Sequence, residues 1–242
     1  MKNKIPKVIH YVWVGGNPKP RDIQICMKSW KRYLKDYKIK EWNETNFDIN
    51  SHPFCKAAYE AKKWAYVSDY IRAYALYTEG GVYLDTDNIV VDNIDDLLKN
   101  RAFVGYENDE YPFTACFGAE KHHPLLKKIL DYYKTAEFKF DKNDQMKEVN
   151  TKIVANILIK DYNCKTGNVE QLLKDDIKVY KKEVLCNPSK DSKVIHIFTG
   201  TWMEQSGTLK AKIVKFFKLR IKNPKSAEKY EKWISKSQNK NN

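Results

Sequence analysis

Apolar residues follow two rhythms along this chain. Residues 7–14 (KVIHYVWV) form an unbroken β-branched and aromatic run that stops at Gly15-Gly16. Such a run predicts a buried first strand. Residues 21–35 switch to helical spacing behind Pro20, and 38–42 return to a strand pattern. The segment 53–79 is rich in Ala and Tyr and reads as helix, with a candidate break near Trp64. Gly80-Gly81 ends it, and 82–85 is a short strand. A helix over 92–99 and strands over 102–107 and 114–120 follow, then helices over 124–134 and roughly 147–160. Residues 193–198 (KVIHIF) are the last strand, and the polar stretch 137–147 reads as a mobile loop. Strands alternating with helices predict an α/β domain with a largely parallel sheet.

The 242 residues suit one domain with an appendage, and 42% hydrophobic content supplies a core, which excludes wholesale disorder. No run of about 18 apolar residues occurs, so no spanning helix is expected. The first 16 residues lack a long apolar stretch with a small-residue cleavage site, so no secretory signal is expected. Five cysteines without CxxC spacing disfavour a disulfide framework and point to a reducing cytoplasm.

Charge changes this picture once it is located. The net charge is +13, but residues 205–242 hold 11 Lys and Arg against Glu228 and Glu231, a net of +9. The remaining 204 residues hold 33 basic against 29 acidic residues, a net of +4. The expected organisation is a domain over 1–204 and a basic helical tail over 205–242. Wound as a helix, the tail gathers Leu209, Ile213, Phe216, Phe217 and Ile221 on one face and Lys212, Lys215, Lys218 and Lys222 on the other. Arg220 and Leu219 intrude on the wrong sides, Asn223-Pro224 stops the segment, and Tyr230, Trp233 and Ile234 make a second stripe. A basic amphipathic helix of this kind suits an anionic bilayer surface. It equally suits a helix packing its apolar face on the domain with its lysines solvated. If it is an appendage, deleting 205–242 would release the protein from anionic membranes and leave its chemistry intact. The charge does not accompany a recognisable nucleic-acid-binding signature, so no nucleic-acid partner is expected.

The candidate chemistry centres on Gly80-Gly81-Val82-Tyr83-Leu84-Asp85-Thr86-Asp87. In an extended chain Asp85 and Asp87 point to one side, at the strand end where α/β sheets hold ligands. Two such carboxylates can hold Mg²⁺ or Mn²⁺ with a substrate diphosphate, and they can also be solvated turn residues. Asp69 and Arg72 lie three apart on the preceding helix, either as a surface ion pair or as ligand-binding groups. Trp13, beside Val12 at the end of the first strand, can stack on a nucleobase or fill the core. His196 can be a metal ligand, a phosphate donor or a satisfied core histidine, and standing alone the core reading wins. Thr201-Trp202 follow it. His122-His123-Pro124 and Asn150-Thr151 lie where an acceptor could bind, or act as turn and cap residues.

Together, residues 5–16 (IPKVIHYVWVGG), 68–72 (SDYIR), 80–87 (GGVYLDTD) and 196–202 (HIFTGTW) resemble glycosyltransferase family 32. That DXD-containing group includes bacterial capsular polysaccharide synthesis proteins and yeast-type initiating mannosyltransferases. The first three blocks are also similar to the catalytic domains of large clostridial glucosylating toxins, and order and spacing match over about 4–204. The resemblance implies a GT-A fold, with a Rossmann-like nucleotide-binding half of mostly parallel sheet fused to a smaller acceptor-binding half. It implies a nucleotide-sugar donor, UDP-sugar favoured, Mn²⁺ or Mg²⁺, and retaining transfer to a saccharide acceptor, for instance a polyprenyl-linked one. By position, Val12 and Trp13 would meet the base, and Asp69 and Arg72 the sugar and phosphate. Tyr83 and Asp85 would touch ribose and sugar, with Asp85 reaching the metal directly or through water. Asp87 would ligate the metal, and His196, Thr201 and Trp202 would lie at the diphosphate and metal. The rival implication is a protein of the same fold that binds carbohydrate or nucleotide without turnover.

Overall fold

A computed structural model describes residues 3–139, 150–199 and 208–239. The strands are β1 Val8–Val12, β2 Lys38–Trp42, β3 Gly81–Leu84, β4 Asn88–Val90, β5 Ala102–Gly105, β6 Cys116–Ala119, β7 Gln171–Leu173, β8 Ile177–Tyr180 and β9 Val194–His196. The helices are α1 Arg21–Tyr33, α2 Pro53–Glu60, α3 Trp64–Glu79, α4 Pro124–Thr135, α5 Asn150–Tyr162, α6 Lys182–Leu185, α7 Leu209–Lys218 and α8 Pro224–Asn239. Seven strands make one sheet in the order β2-β1-β3-β6-β5-β8-β7, and β4 and β9 pair separately. The expected α/β class forms, with a Rossmann-like half in which β1 pairs in parallel with both β2 and β3. The second half is mixed: β6 runs antiparallel to β3 and β5, β8 parallel to β5, and β7 antiparallel to β8.

The sheet separates two apolar cores because strand side chains alternate. Ile9, Tyr11, Val82 and Leu84 face a cluster with Trp30 of α1. Val12 and Tyr83 face the opposite cluster with Val67, Ile71 and Ala75 of α3. A third, smaller cluster lies under β4 and β9, where Ile89, Val91, Ile195 and Ile197 meet Cys26 of α1 and Ile221 and Ala227 of the tail.

The break expected near Trp64 is present: 53–79 is two helices, parted where Lys62 takes a left-handed φ of 58°. Several sequence expectations change. The expected helix over 92–99 is only a 3₁₀ turn at Leu97–Lys99, with Ile94, Leu97 and Leu98 fully buried. β4, α6 and the β7–β8 hairpin are additional elements. The expected loop at 137–147 lies largely outside the described residues.

Gly81 allows β1 and β3 to meet. Its φ is 121°, and a Cβ there would lie 2.6 Å from the Val8 carbonyl oxygen and 2.9 Å from His10 Nε2. His10 is itself fixed, with Nε2 bonding the Gly80 carbonyl at 2.8 Å and Nδ1 accepting from Trp42 Nε1 at 2.9 Å. Neither neighbour can retreat cheaply. Gly81→Ala is therefore expected to lower unfolding free energy by about 2–4 kcal/mol, from backbone strain and overpacking together. Urea denaturation of the two proteins measures it.

Candidate active site

The parallel register sets the site at one edge. Ile9 pairs with Val82 and His10 with Tyr83, so β1 and β3 end side by side. Trp13 follows β1, continues the ladder by donating its amide to the Trp42 carbonyl at 2.9 Å, and is half-buried. Its Nε1 donates to the Asn17 carbonyl at 2.7 Å, and the Lys19 ammonium lies 5.3 Å from the ring. Val12 is buried against the core.

Beyond β3 the chain turns. The Asn88 amide donates to the Asp85 carbonyl at 2.9 Å, so Asp85 and Asp87 lie in a tight turn and not on an extended strand. Their carboxylates converge all the same. One ligand atom each from Asp85, Asp87 and His196 lie within 4.8 Å of one another. β9 delivers His196 by pairing it with Asn88, directly after the turn.

Asp87 is gripped from both sides. His196 Nε2 lies 3.2 Å from Oδ1, while the Thr199 amide and hydroxyl donate to Oδ2 at 2.9 and 3.0 Å. Burial opposes its charge, but His196 and Thr199 outweigh burial and hold its carboxyl well below the usual carboxylate range. Burial likewise opposes charge on His196, yet Asp87 raises the imidazole to about 10. Two carboxylates and an imidazole are a donor set that suits a divalent cation, with Mn²⁺ and Mg²⁺ favouring the oxygens and Mn²⁺ accepting the nitrogen. A cation there would take the place of the proton shared between His196 and Asp87. The core-histidine reading of His196 therefore gives way to a place beside the two aspartates.

Asp69 and Arg72 are not a surface pair. Both are under 10% exposed. The Arg72 Nη2 group lies 3.0 Å from Asp69 Oδ1 and 3.3 Å from Asp85 Oδ1, which joins α3 to the turn. Its Nε and Nη2 also donate to the Ser68 carbonyl and hydroxyl at 3.2 and 2.8 Å. The guanidinium sits 4.7 Å from the centre of the Tyr83 ring, whose hydroxyl is 3.2 Å from Ser68 Oγ. Burial raises Asp69 to about 6 against the pull of Arg72.

The sequence reading missed some neighbours. Thr199, two residues before the hydroxyl it had singled out, bonds Asp87. Glu107, just past β5, is raised by burial and by Asp85, with Thr151 Oγ1 3.5 Å from its Oε2. A single acidic residue after a strand carried no spacing signal. Asn150 lies against Asp69, with Nδ2 3.5 Å from its carbonyl and Oδ1 buried without a partner among the described residues. His123 instead caps α4, accepting from the Leu125 amide at 3.2 Å, and His122 packs edge-on against Tyr77. Thr201 and Trp202 lie outside the described residues.

Residues 20–104 match the family described as the glycosyltransferase sugar-binding region containing the DXD motif. Asp69, Arg72, Asp85 and Asp87 lie inside the matched residues. Inositol phosphoceramide mannosyltransferase 1 of Schizosaccharomyces pombe is 30% identical over 140 residues, covering 51% of this chain and 41% of that protein. Inositol phosphoceramide mannosyltransferase 3 of the same yeast is 28% identical over 130 residues, covering 52% and 36%. The chain thus spans about two fifths of the length of these curated relatives. Among solved structures, the glycosyltransferase GlyE of Streptococcus pneumoniae TIGR4 aligns over 95% of this chain and 64% of its own, at 13% identity and a TM-score of 0.49.

Proposed function

We propose that this protein is a metal-dependent, retaining glycosyltransferase of the GT-A type. It moves a hexose from a nucleotide-sugar to a saccharide acceptor carried on a membrane lipid, as in capsular or other surface polysaccharide synthesis. The observation that carries this reading is the convergence of Asp85, Asp87 and His196 beside the buried Asp69–Arg72–Asp85 network. The match over 20–104 supports it. The yeast relatives, named for mannosylating inositol phosphoceramide, favour a lipid-borne acceptor and keep mannose donors in view. The likeness of the motif blocks to glucosylating toxins favours UDP-sugars.

Asp87, Asp85 and His196 would hold the cation. When bound, that cation offsets the negative charge that grows on the leaving diphosphate. Arg72 adds a fixed positive charge at the same place, already desolvated and held by Ser68, so little reorganisation is needed. Asp69 accepts hydrogen bonds from sugar hydroxyls, and the half-buried indole of Trp13 offers a face to the base. In a front-face retaining route the departing phosphate takes the acceptor proton, so no protein base is required. Release of nucleoside diphosphate from a nucleotide-sugar panel, with Mn²⁺ and with EDTA, tests the reading. No release from any donor overturns it, and turnover separates it from a binding protein of the same fold.

The same reading puts the enzyme on the cytoplasmic face of the plasma membrane. Support comes from the way α7 sits. Its Lys215 and Lys218 turn toward the domain, Lys215 pairing with Asp22 of α1 at 2.9 Å, while Ile213, Phe216 and Phe217 are 44–50% exposed. Trp233 of α8 joins them, 5.0 Å from Phe217 between ring centres, and Arg220 stacks on Phe216. Exposed aromatics flanked by Arg220 and Lys229 match an anionic interface in both polarity and charge. Among the described residues no helix is long and apolar enough to cross a membrane. Phe216→Ser with Phe217→Ser is expected to weaken binding to phosphatidylglycerol vesicles at least about 10-fold. Co-sedimentation measures it, and unchanged binding refutes the membrane contact.

A further inference from the structure

We propose that Lys218 of α7 is a positioning residue for the metal ligands, so that the tail is part of the active site and not an appendage to it. This rests on the glycosyltransferase reading above. Lys218 is 8% exposed and lies on the inward side of the tail helix. Its ammonium donates to the carbonyl oxygen of His196 and sits 5.0 Å from the centre of the Phe198 ring. Among the described residues no carboxylate pairs with it.

These contacts lead directly to Asp87. The Phe198 ring packs on the His196 imidazole, with centres 3.9 Å apart, and Phe198 adopts a left-handed φ of 59°. His196 is held at its amide by the Cys186 carbonyl at 2.9 Å, at its carbonyl by Lys218, and at its ring by Phe198 and Asp87. One residue past Phe198, Thr199 holds the other oxygen of Asp87. Residues 196–199 thus grip both carboxylate oxygens, and Lys218 grips residues 196–199. The helix end carrying Lys218 is fixed by burial of Ile221 and Ala227, just beyond it, against Ile195 and Ile197 around β9, while the part-exposed Lys215–Asp22 pair adds little.

The ammonium has a use that an apolar residue would not. Only 8% exposed, it is largely desolvated, so this position is an unfavourable one for a charge. A methionine would fill the space without that penalty. What Met lacks is a donor for the His196 carbonyl at the end of β9. Without it, the 196–199 segment loses a fixed point and the imidazole can rotate against Asp87. Groups that orient metal ligands in this way typically change metal affinity about 10–100-fold when removed.

Lys218→Met, Lys218→Arg and Lys215→Ala, all in the full chain, test this. Mn²⁺ binding is followed by electron paramagnetic resonance with the metal alone and with UDP, and the His196 ring by ¹⁵N NMR without metal. Lys218→Met is expected to shift the His196 ring resonances and weaken Mn²⁺ binding about 10-fold. Lys218→Arg, which keeps the donor, recovers most of both, and Lys215→Ala resembles wild type. Unmoved His196 resonances with wild-type Mn²⁺ affinity in folded Lys218→Met overturn the proposal. Should Lys218→Met not fold, hydrogen exchange in the wild type decides: Mn²⁺ with UDP must slow amide exchange in α7, because coupling between sites is reciprocal. Unchanged exchange there overturns the proposal. If the wild type binds no Mn²⁺ and turns over no donor, the glycosyltransferase reading fails, while the metal-free His196 resonances still decide the role of Lys218.

Discussion

Asp87→Asn is expected to reduce nucleoside diphosphate release from the donor by about 10³-fold, with the fold retained. Asparagine keeps a carbonyl oxygen for the Thr199 amide and hydroxyl, so the local hydrogen bonds survive. What disappears is the negative charge that makes this turn a cation site. The loss does not strand a buried positive charge. His196 is raised to about 10 because Asp87 is ionised, and without that partner burial drives the imidazole to its neutral form at pH 7. Stability should therefore fall by only about 1–3 kcal/mol, the cost of one charge-assisted hydrogen bond. Thermal unfolding and donor hydrolysis, run on the same preparation, separate the two effects. Turnover within a few-fold of wild type would remove Asp87 from the metal site.

Arg72→Met should harm both stability and turnover. The guanidinium lies between Asp69 and Asp85, and its removal leaves two carboxylates facing each other in a buried setting. Breaking such a network at its cation costs about 3–5 kcal/mol. It also removes the fixed positive charge beside the leaving group, about 10²-fold or more in turnover. A pH signature accompanies the stability loss. Asp69 is an acid whose folded pKa is raised, to about 6 against 3.8. The folded state therefore binds more protons than the unfolded state between those values, and stability declines as pH rises through that window. Without Arg72 the folded pKa rises further, so the decline continues above pH 6, where the Asp69 contribution in the wild type has levelled off. Denaturation midpoints at pH 6, 7 and 8 measure this, and Asp69→Asn in the same background should flatten the slope. Parallel pH profiles for wild type and Arg72→Met would show that Asp69 does not feel Arg72.

The parts of this architecture legible in sequence are those with long, strong signals. Residues 7–14 have too many β-branched and aromatic side chains to be anything but buried strand, and Gly80-Gly81 marks where α3 must hand over to β3. β4 and the β7–β8 hairpin escaped because three or four residues cannot establish a period. The 92–99 segment misled because Ile94, Leu97 and Leu98 have helical spacing, yet burial of all three is satisfied by a single 3₁₀ turn.

The site divides the same way. Chemistry-bearing residues in short motifs, Asp69 with Arg72 and Asp85 with Asp87, were visible because their spacing is local. Sequence also located the excess charge in 205–242 and found the amphipathic character of the tail helix. Spacing could not say which face of that helix meets the domain. Lys218, which the packed-helix reading leaves solvated, is buried, and Phe216 and Phe217, which that reading buries, are exposed. The reason is that helical periodicity records differences between faces, whereas docking depends on what the opposing surface offers. Here that surface offers the Asp22 carboxylate, the His196 carbonyl and the Phe198 ring, from residues up to 193 positions away in the chain. Local spacing decided which side chains this protein has available for chemistry. Tertiary packing alone decided that His196, Thr199 and the tail lysine close around Asp87.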